Sequence, residues 1–237
     1  MRIIGKIFNR IKLCYYQSSS DRYIKFLKKK GVKIGAGAFI GNTHHFILDY
    51  TRPSLVDIGR NVRFEDGFQL LTHDYVTDLF LKIYDDFIPS SGKVCIGDNV
   101  YFARNCSVLK GVTIGNNVIV GYGSIVTHDI PSNSVAVGTP AKVICSIEDY
   151  YNKRRQRCVE EAFLYAQSIK ERFGREPIPS DFWEEFPLFV DGGNIDEYPD
   201  IPIRNQLGLS YRSWLTKHKA PFDGFGDFIK KALLYEK

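Results

Sequence analysis

A six-residue repeat in the centre of the chain constrains its fold more than any other feature. From residue 96, a large aliphatic or aromatic residue recurs at every sixth position: Ile96, Phe102, Val108, Ile114, Val120 and Val126. A second, mostly small residue stands four positions after each of these: Val100, Cys106, Val112, Val118, Ser124 and Ile130. The same phase occurs earlier at Ile34, Ile40, Ile58, Phe64 and Leu70. Such self-similarity predicts a stacked array of short units.

An amphipathic helix is the main alternative, because positions i and i+4 also share a helical face. A period of six drifts around a 3.6-residue helix, however, and the stretch carries glycine repeatedly, which costs a helix about 1 kcal/mol each time. Short strands joined by tight corners keep the same residue pointing inward at every sixth position. We expect glycine, together with Asn99, Asn116 and Asn117, to supply positive φ angles at the corners.

Composition supports a packed protein without selecting a partner. The chain has 237 residues, 44% of them hydrophobic, and a formal net charge of +5. We expect no nucleic-acid partner, since no basic run or nucleic-acid motif occurs. The five dispersed cysteines include no C-x-x-C pair, which predicts free thiols in a reducing compartment. With no signal peptide and no long apolar run, the chain is predicted to be cytoplasmic.

The repeat and its ending resemble a known family. The run IGDNVYFARNCSVLKGVTIGNNVIVGYGSIVTHDIP, followed by VAVGTPAKVI, resembles the hexapeptide-repeat acyltransferases, in particular sugar and capsule O-acetyltransferases. The resemblance covers about residues 33–146 and implies an all-β solenoid. Its form would be a left-handed parallel β-helix, assembled as a homotrimer, with acetyl-coenzyme A as co-substrate and no required metal.

The repeat breaks immediately after His73. Its phase fails between about residues 74 and 94 and resumes at Val94. A stacked array tolerates an insertion only where it can leave at a corner, so residues 74–94 are predicted to form an external loop. In the resembled family a catalytic histidine lies at the root of such a loop, and Leu71-Thr72-His73-Asp74 matches that placement. We therefore expect His73 to act as the general base, since imidazole titrates near neutral pH.

The resemblance also implies binding residues. On the acceptor side, Asn42 and Asp49 would hold sugar hydroxyls, although both could equally form turns. For the cofactor, the resemblance implies a pantetheine groove between neighbouring subunits, lined by backbone groups of Ala103, Arg104, Gly121, Tyr122 and Gly123. It also implies that Tyr101 lies against the pantetheine or the acceptor and that Lys142 meets the nucleotide phosphates. Glu65 or Asp66 is a candidate for orienting the imidazole, a question that the sequence leaves open.

Two flanks surround the repeat. Residues 1–32 are predicted to be helical, and the apolar stripe within residues 3–13 favours packing on the domain over peripheral membrane contact. Residues 147–237 are predicted to form a helix to about Phe173, opened by a capping box at Ser146, and an aromatic-rich folded tail.

The predicted activity is transfer of an acetyl group to a hydroxyl of a sugar or surface-glycan precursor, in one direct step. An N-acetyltransferase acting on an amino-sugar nucleotide is the first alternative. A non-catalytic scaffold is another. A zinc carbonic-anhydrase-like β-helix is disfavoured, because no H-x-x-x-x-H pair occurs.

Overall fold

The computed structural model describes residues 12–236 of the chain. The prediction for residues 3–13 therefore lies almost wholly outside the described residues, of which 12–16 are helical. Among the helices described, none has both the length and the apolar character needed to cross a bilayer.

The repeat region is built of very short strands. In chain order they are β1 Lys33–Ile34, β2 Phe39–Ile40, β3 Ile47–Leu48, β4 Val56–Ile58, β5 Arg63–Phe64, β6 Gln69–Leu70, β7 Val94–Ile96, β8 Val100–Phe102, β9 Ser107–Val108, β10 Thr113–Ile114, β11 Val118–Val120, β12 Ile125–Val126, β13 Ser134–Val137 and β14 Lys142–Ser146. Most are only two or three residues long, so each needs neighbouring strands to satisfy its backbone groups.

These strands form three sheets, which the chain visits in rotation from β1 to β12, whereas β13 and β14 both join the second sheet. Sheet A has the order β1-β4-β7-β10, sheet B has β14-β13-β11-β8-β5-β2 and sheet C has β12-β9-β6-β3. All pairs are parallel except β13 with β14, which run antiparallel. Each set of three successive strands is one round of the repeat, and successive rounds stack in register.

The six-residue repeat supplies the core between the sheets. In sheet A the register aligns Ile34, Ile58, Ile96 and Ile114. In sheet B it aligns Ile40, Phe64, Phe102 and Val120, and in sheet C Leu48, Leu70, Val108 and Val126. All twelve side chains are buried. The rings of Phe64 and Phe102 also stack, with centroids 5.4 Å apart. The hydrophobic effect therefore acts along the whole stack.

The repeated glycines have a different role from the predicted one. Gly35, Gly59 and Gly97 do not have positive φ angles. A Cβ atom on Gly35 would lie 2.4 Å from the carbonyl oxygen of Gly59, and one on Gly59 would lie 2.5 Å from that of Gly97. The next round passes too close for any side chain at these positions, so close backbone approach explains the glycines.

Asparagines supply the positive φ angles at the corner between sheets A and B. Asn61, Asn99, Asn117 and Asn133 have φ values of 54°, 57°, 55° and 60°. Their side-chain amides form a ladder, in which each Nδ2 donates to the next Oδ1 over 3.0, 3.0 and 2.8 Å. Asn116 is an exception to the prediction, since its Oδ1 accepts a hydrogen bond from the Asp98 backbone instead.

Apart from the helical residues 12–16, the α-helices in the described part of the chain are α1 Ser20–Lys29, α2 Thr77–Tyr84, α3 Ile147–Phe173, α4 Ile203–Leu207, α5 Tyr211–Lys217 and α6 Gly224–Leu233. Helix α1 begins where the Ser19 hydroxyl accepts from the Arg22 backbone amide, and it buries Tyr23, Ile24 and Leu27. These three residues belong to the same core as the repeat.

The chain divides into two compact units, Met1–Tyr150 and Tyr151–Lys237. The second unit has its own core, which includes Ala162, Phe182, Phe189 and Phe228. The Phe228 ring lies within 5.7 Å, centroid to centroid, of the rings of Phe163, Phe182, Phe189 and Phe222. The aromatic-rich tail is thus folded around its own aromatic cluster.

Candidate active site

The inserted loop leaves sheet C just after β6 and returns at β7. Its two ends are held together: His73 forms an antiparallel bridge with Ser91, and the Gly92 amide donates to the Thr72 carbonyl over 2.9 Å. The Lys110 ammonium, from the next round, pairs with Asp74 and hydrogen-bonds Ser90. Helix α2 lies within the loop, and its Leu79 and Ile83 are 55% and 58% exposed. His73 therefore lies at the base of the loop, where the two ends of the loop are bonded to each other and to Lys110.

Asp49 orients the imidazole of His73. The Asp49 Oδ2 atom lies 2.5 Å from Nδ1 of His73, although the two residues are 24 positions apart in the sequence. The side chains are only 6% and 12% exposed, respectively. Stacking brings them together, since the Asp49 amide donates to the Leu70 carbonyl of the following round. Water competes little for a pair this enclosed.

Both oxygens of the Asp49 carboxylate are occupied. Oδ1 accepts from the backbone amide and the hydroxyl of Thr51, over 3.1 and 2.6 Å. Oδ2 accepts from the Thr72 hydroxyl and from His73. Burial by itself raises the pKa of Asp49, but hydrogen bonds from Thr51, Thr72 and His73 outweigh it and lower that pKa to about 2. The carboxylate is therefore ionised throughout the neutral range.

This arrangement determines the tautomer of His73. An ionised carboxylate has no proton to donate, so the hydrogen bond requires a proton on Nδ1 of the imidazole. In the neutral ring the lone pair is then on Nε2. Within residues 12–236, no group hydrogen-bonds Nε2. The ring is thus held with an unoccupied acceptor nitrogen, as a general base requires.

The carboxylates proposed for orienting His73 have other partners. Asp66 contacts Nδ1 of His45 over 2.9 Å, and Glu65 accepts from Arg63 over 2.6 Å. The suggestion that Glu65 or Asp66 orients the imidazole was wrong. Asp49 orients His73 instead, because the pairing of Leu48 with Leu70 places residue 49 beside residue 71 of the following round.

The two predicted acceptor residues lie at different corners. Asn42 is between β2 and β3, where its Oδ1 accepts from the His44 amide over 3.0 Å and its Nδ2 contacts His45 over 3.2 Å. Asp49 lies after β3, with the bonds described above. No hydrogen bond joins Asn42 and Asp49 in the described part of the chain. Their acceptor-binding roles stay predictions, and Asp49 has no carboxylate oxygen without a partner.

The predicted cofactor residues gather along one side of sheet B. Tyr101 is on β8, Ala103 and Arg104 follow that strand, and the segment from Gly121 to Gly123 follows β11 one round later. The Ala103 amide donates to Val120, and the Gly123 amide donates to the Arg104 carbonyl, each over 2.9 Å. Tyr122 is 72% exposed and contacts the Asn105 amide through its hydroxyl. Lys142, exposed on β14, belongs to the same sheet.

These residues are separate from His73 within one chain. His73 lies between sheets C and A, whereas residues 103–104 and 121–123 lie between sheets B and C. Among residues 12–236, no hydrogen bond or ring contact connects the two groups. Nor does any group of three or more His, Cys, Asp and Glu side chains converge in that range as metal ligands would.

Thr51 and Thr72 were not predicted from the sequence. The Asp49-x-Thr51 spacing is a local signal, because an Asp side chain commonly bonds the backbone two residues on. Thr72 is fully buried, and only the stacked rounds show its hydroxyl directed at Asp49. The imidazole of His128 contacts the hydroxyl of its neighbour Thr127, and that of His218 contacts the carbonyl of Pro187, 31 positions earlier.

Comparison with known proteins shows which protein family the chain belongs to. A family model for the bacterial transferase hexapeptide (six repeats) matches residues 96–128. The Staphylococcus aureus protein CapG is 38% identical over 143 residues, covering 60% of this chain and 80% of CapG. The chain therefore belongs to the hexapeptide-repeat transferase family.

Two other relatives are matched over a shorter part. The Schizosaccharomyces pombe protein C18B11.09c, provisionally named an acetyltransferase, is 38% identical over 111 residues, covering 47% of this chain and 51% of the relative. Staphylococcus aureus SACOL2570, named in the same way, is 36% identical over 118 residues, covering 50% and 56%. The chain thus spans about half the length of these two relatives.

Solved structures resemble the chain more weakly. A maltose O-acetyltransferase from Clostridium difficile 630 is 24% identical, with coverage of 61% of this chain and 87% of that one and a TM-score of 0.41. The Vibrio cholerae acetyltransferase VCA0836, in complex with acetyl coenzyme A, is 21% identical, with coverage of 56% and 82% and a TM-score of 0.41. Similarity at this level carries no argument about activity.

Proposed function

We propose that this protein is an acetyl-coenzyme A-dependent O-acetyltransferase that acts on a hydroxyl of a sugar or surface-glycan precursor. The oriented Asp49–His73 pair is the observation that carries the proposal. Family membership and the names of the relatives point in the same direction. A general base of this kind contributes about 10²–10⁴-fold to the rate.

In the proposed reaction, Nε2 of His73 takes the proton of the acceptor hydroxyl as the oxygen attacks the thioester carbonyl. A new C–O bond forms, the C–S bond breaks, and coenzyme A leaves as a thiolate that is protonated by the imidazolium or by solvent. Asp49 holds the ring and stabilises its positive charge during the transfer. No covalent acyl-enzyme is needed. Burial raises the pKa of the Cys106 thiol, which disfavours that thiolate as a nucleophile.

We further infer that the three sheets wind as a left-handed β-helix and that three chains assemble around the site. The rotation of strands among sheets A, B and C supports a three-sided β-helix, and membership of the hexapeptide-repeat family supports its left hand. The separation of His73 from the predicted cofactor residues supports the second, because a neighbouring chain could bring its sheet B to the His73 corner. Cyclic assembly of identical chains produces such head-to-tail contacts.

The test is thiol release from acetyl-coenzyme A by the purified chain across a panel of sugars and glycan intermediates. We expect His73→Ala to lower kcat/KM by about 10²–10⁴-fold. His128→Ala is the matched control, since His128 lies outside the loop and, among residues 12–236, forms a side-chain hydrogen bond only with its neighbour Thr127. Unchanged turnover in His73→Ala would overturn the proposed base, and failure of the wild type to bind acetyl-coenzyme A would overturn the activity.

A further inference from the structure

A cavity of about 580 Å³ lies beside α1 in the first unit, and no role has been assigned to it above. It is lined by Lys12, Leu13, Tyr16, Phe26, Lys29, Lys30 and Tyr50. Its volume is within the range of sites that bind small molecules. Its lining has two chemically distinct parts, an aromatic part and a cationic part.

The aromatic part is a continuous set of three rings. The centroids of Tyr16 and Phe26 are 5.0 Å apart, and those of Phe26 and Tyr50 are 5.5 Å apart. The three side chains are half-buried and pack against the core of the repeat. They therefore present a supported apolar surface, on which a planar base or a hydrocarbon chain can pack.

The cationic part consists of three lysines. Lys12, Lys29 and Lys30 are exposed, and none of them forms an ion pair with another residue in the described part of the chain. The Lys30 ammonium lies 5.6 Å from the Phe26 ring centroid and 6.0 Å from that of Tyr50. No carboxylate is among the lining residues described. Three positive charges with no ion-pair partner among residues 12–236, in a cavity lined by aromatic rings, favour an anion that carries an apolar group.

One lining residue of the cavity is next in sequence to a member of the candidate catalytic pair. Tyr50, which forms one wall, directly follows Asp49 in the chain. Consecutive Cα atoms are about 3.8 Å apart, so the wall of the cavity and the carboxylate that orients His73 belong to the same corner. Lys30 lies near the same residues, since its ammonium is 6.0 Å from the Tyr50 ring centroid.

We propose that this cavity recognises a diphosphate ester carried by the acceptor, which makes the acceptor an activated sugar rather than a free one. The phosphates would contact Lys12, Lys29 and Lys30, and the group on the far side of the diphosphate would cover Tyr16, Phe26 and Tyr50. This inference rests on the proposed function. The shared chemistry is a diphosphate joined to a planar or apolar group, which a nucleoside or a prenyl chain can supply.

Binding to the full chain, measured by isothermal titration calorimetry, tests the proposal independently of turnover. The probes are uridine diphosphate and geranyl diphosphate, with uridine and inorganic diphosphate as their separate halves. We expect one of the two esters to bind at least tenfold more tightly than either of its halves. The ester that does so identifies the source of the apolar group. Its affinity should fall as ionic strength rises.

Substitutions distinguish ester binding by the lysines of the cavity from the general electrostatic effect of lysines at a helix C-terminus. Lys29→Gln and Lys30→Gln should each weaken binding of the ester about tenfold, as expected for loss of a charge-assisted contact. Lys28→Gln is the matched control, because Lys28 lies in the same last turn of α1 but does not line the cavity. His73→Ala should leave binding unchanged.

Three outcomes would overturn the inference. One is the absence of binding by both esters, and another is an equal loss of affinity in Lys28→Gln. The third is competition by acetyl-coenzyme A together with weaker acetyl-coenzyme A binding in Lys29→Gln, which would assign the cavity to the donor. Ester binding without any acetyl-coenzyme A turnover would instead overturn the proposed function and leave the binding site standing.

Discussion

At the scale of single residues, Asp49 links stability to the candidate chemistry. Its pKa is about 2 in the folded protein, below the ordinary value of 3.8. A lowered carboxyl pKa stabilises the folded state above the unfolded-state value, and this contribution is lost as pH falls through the folded value. For Asp49 the difference amounts to about 2 kcal/mol, present above about pH 4 and lost toward pH 2.

Asp49→Asn should therefore lower the free energy of unfolding by about 2 kcal/mol at neutral pH, measured by urea denaturation. The difference from wild type should shrink between about pH 4 and pH 2, because the amide does not titrate there. The asparagine side chain can also donate a hydrogen bond to Nδ1 of His73, which favours the tautomer with its proton on Nε2. Nε2 then cannot accept a proton, so acetyl transfer should fall by about 10²-fold or more. A stability difference that is independent of pH would contradict the assigned hydrogen bonds.

At the scale of elements, the corner between sheets A and B depends on the asparagine ladder. Asn117 has a φ of 55°, donates to Asn133 and accepts from Asn99. Asn117→Ala removes both side-chain hydrogen bonds and leaves an alanine in the left-handed backbone conformation. Asparagine tolerates that conformation better, because its side chain can form local hydrogen bonds. Each hydrogen bond contributes about 1 kcal/mol, and the conformation costs alanine about 1–2 kcal/mol.

We expect Asn117→Ala to lower the free energy of unfolding by about 3–4 kcal/mol. Asn117→Gly is the matched variant, since it loses the same hydrogen bonds but adopts the positive φ readily. It should be the milder of the two by about 1 kcal/mol. Equal effects in thermal unfolding would show that the left-handed conformation has no energetic role at this corner.

At the scale of the whole molecule, the proposed site is divided between chains. His73 and residues 121–123 lie at different corners of one chain. His73→Ala removes the base, and Gly123→Trp should block the cofactor groove. A Cβ atom at Gly123 meets nothing within 4 Å, so a side chain has room there, and the φ of 67° adds a conformational cost of about 1–2 kcal/mol. Each variant alone should be inactive.

Mixed trimers of the two variants should recover about a quarter of wild-type activity, since random assembly pairs an intact His73 with an intact groove in about that fraction of sites. The measurement is thiol release after the two variants are co-expressed and purified together. If each site lay within a single chain, every site would contain one of the two lesions and no activity would return. Each variant purified alone provides the baseline.

The sequence alone was enough to predict the repeat and the root of the loop. The apolar repeat positions between Ile34 and Leu70 and between Ile96 and Val126 that the sequence analysis identified are buried in the structure, and His73 lies where the phase breaks. Both were accessible because periodicity and its interruption are local properties of the chain. The role of Gly59 could not be predicted in this way, because a side chain at that position would collide with Gly97, which belongs to the following round.

What the sequence by itself determined is which side chains point inward on each strand, since that depends only on spacing along the chain and on the hydrophobic effect. The tertiary structure alone decided which polar groups meet. Asp49 reaches His73, and Asn61 reaches Asn99, only because successive rounds stack. The insertion between β6 and β7 and the distance in sequence between partners hide those pairings, since stacking register is a property of the folded chain as a whole.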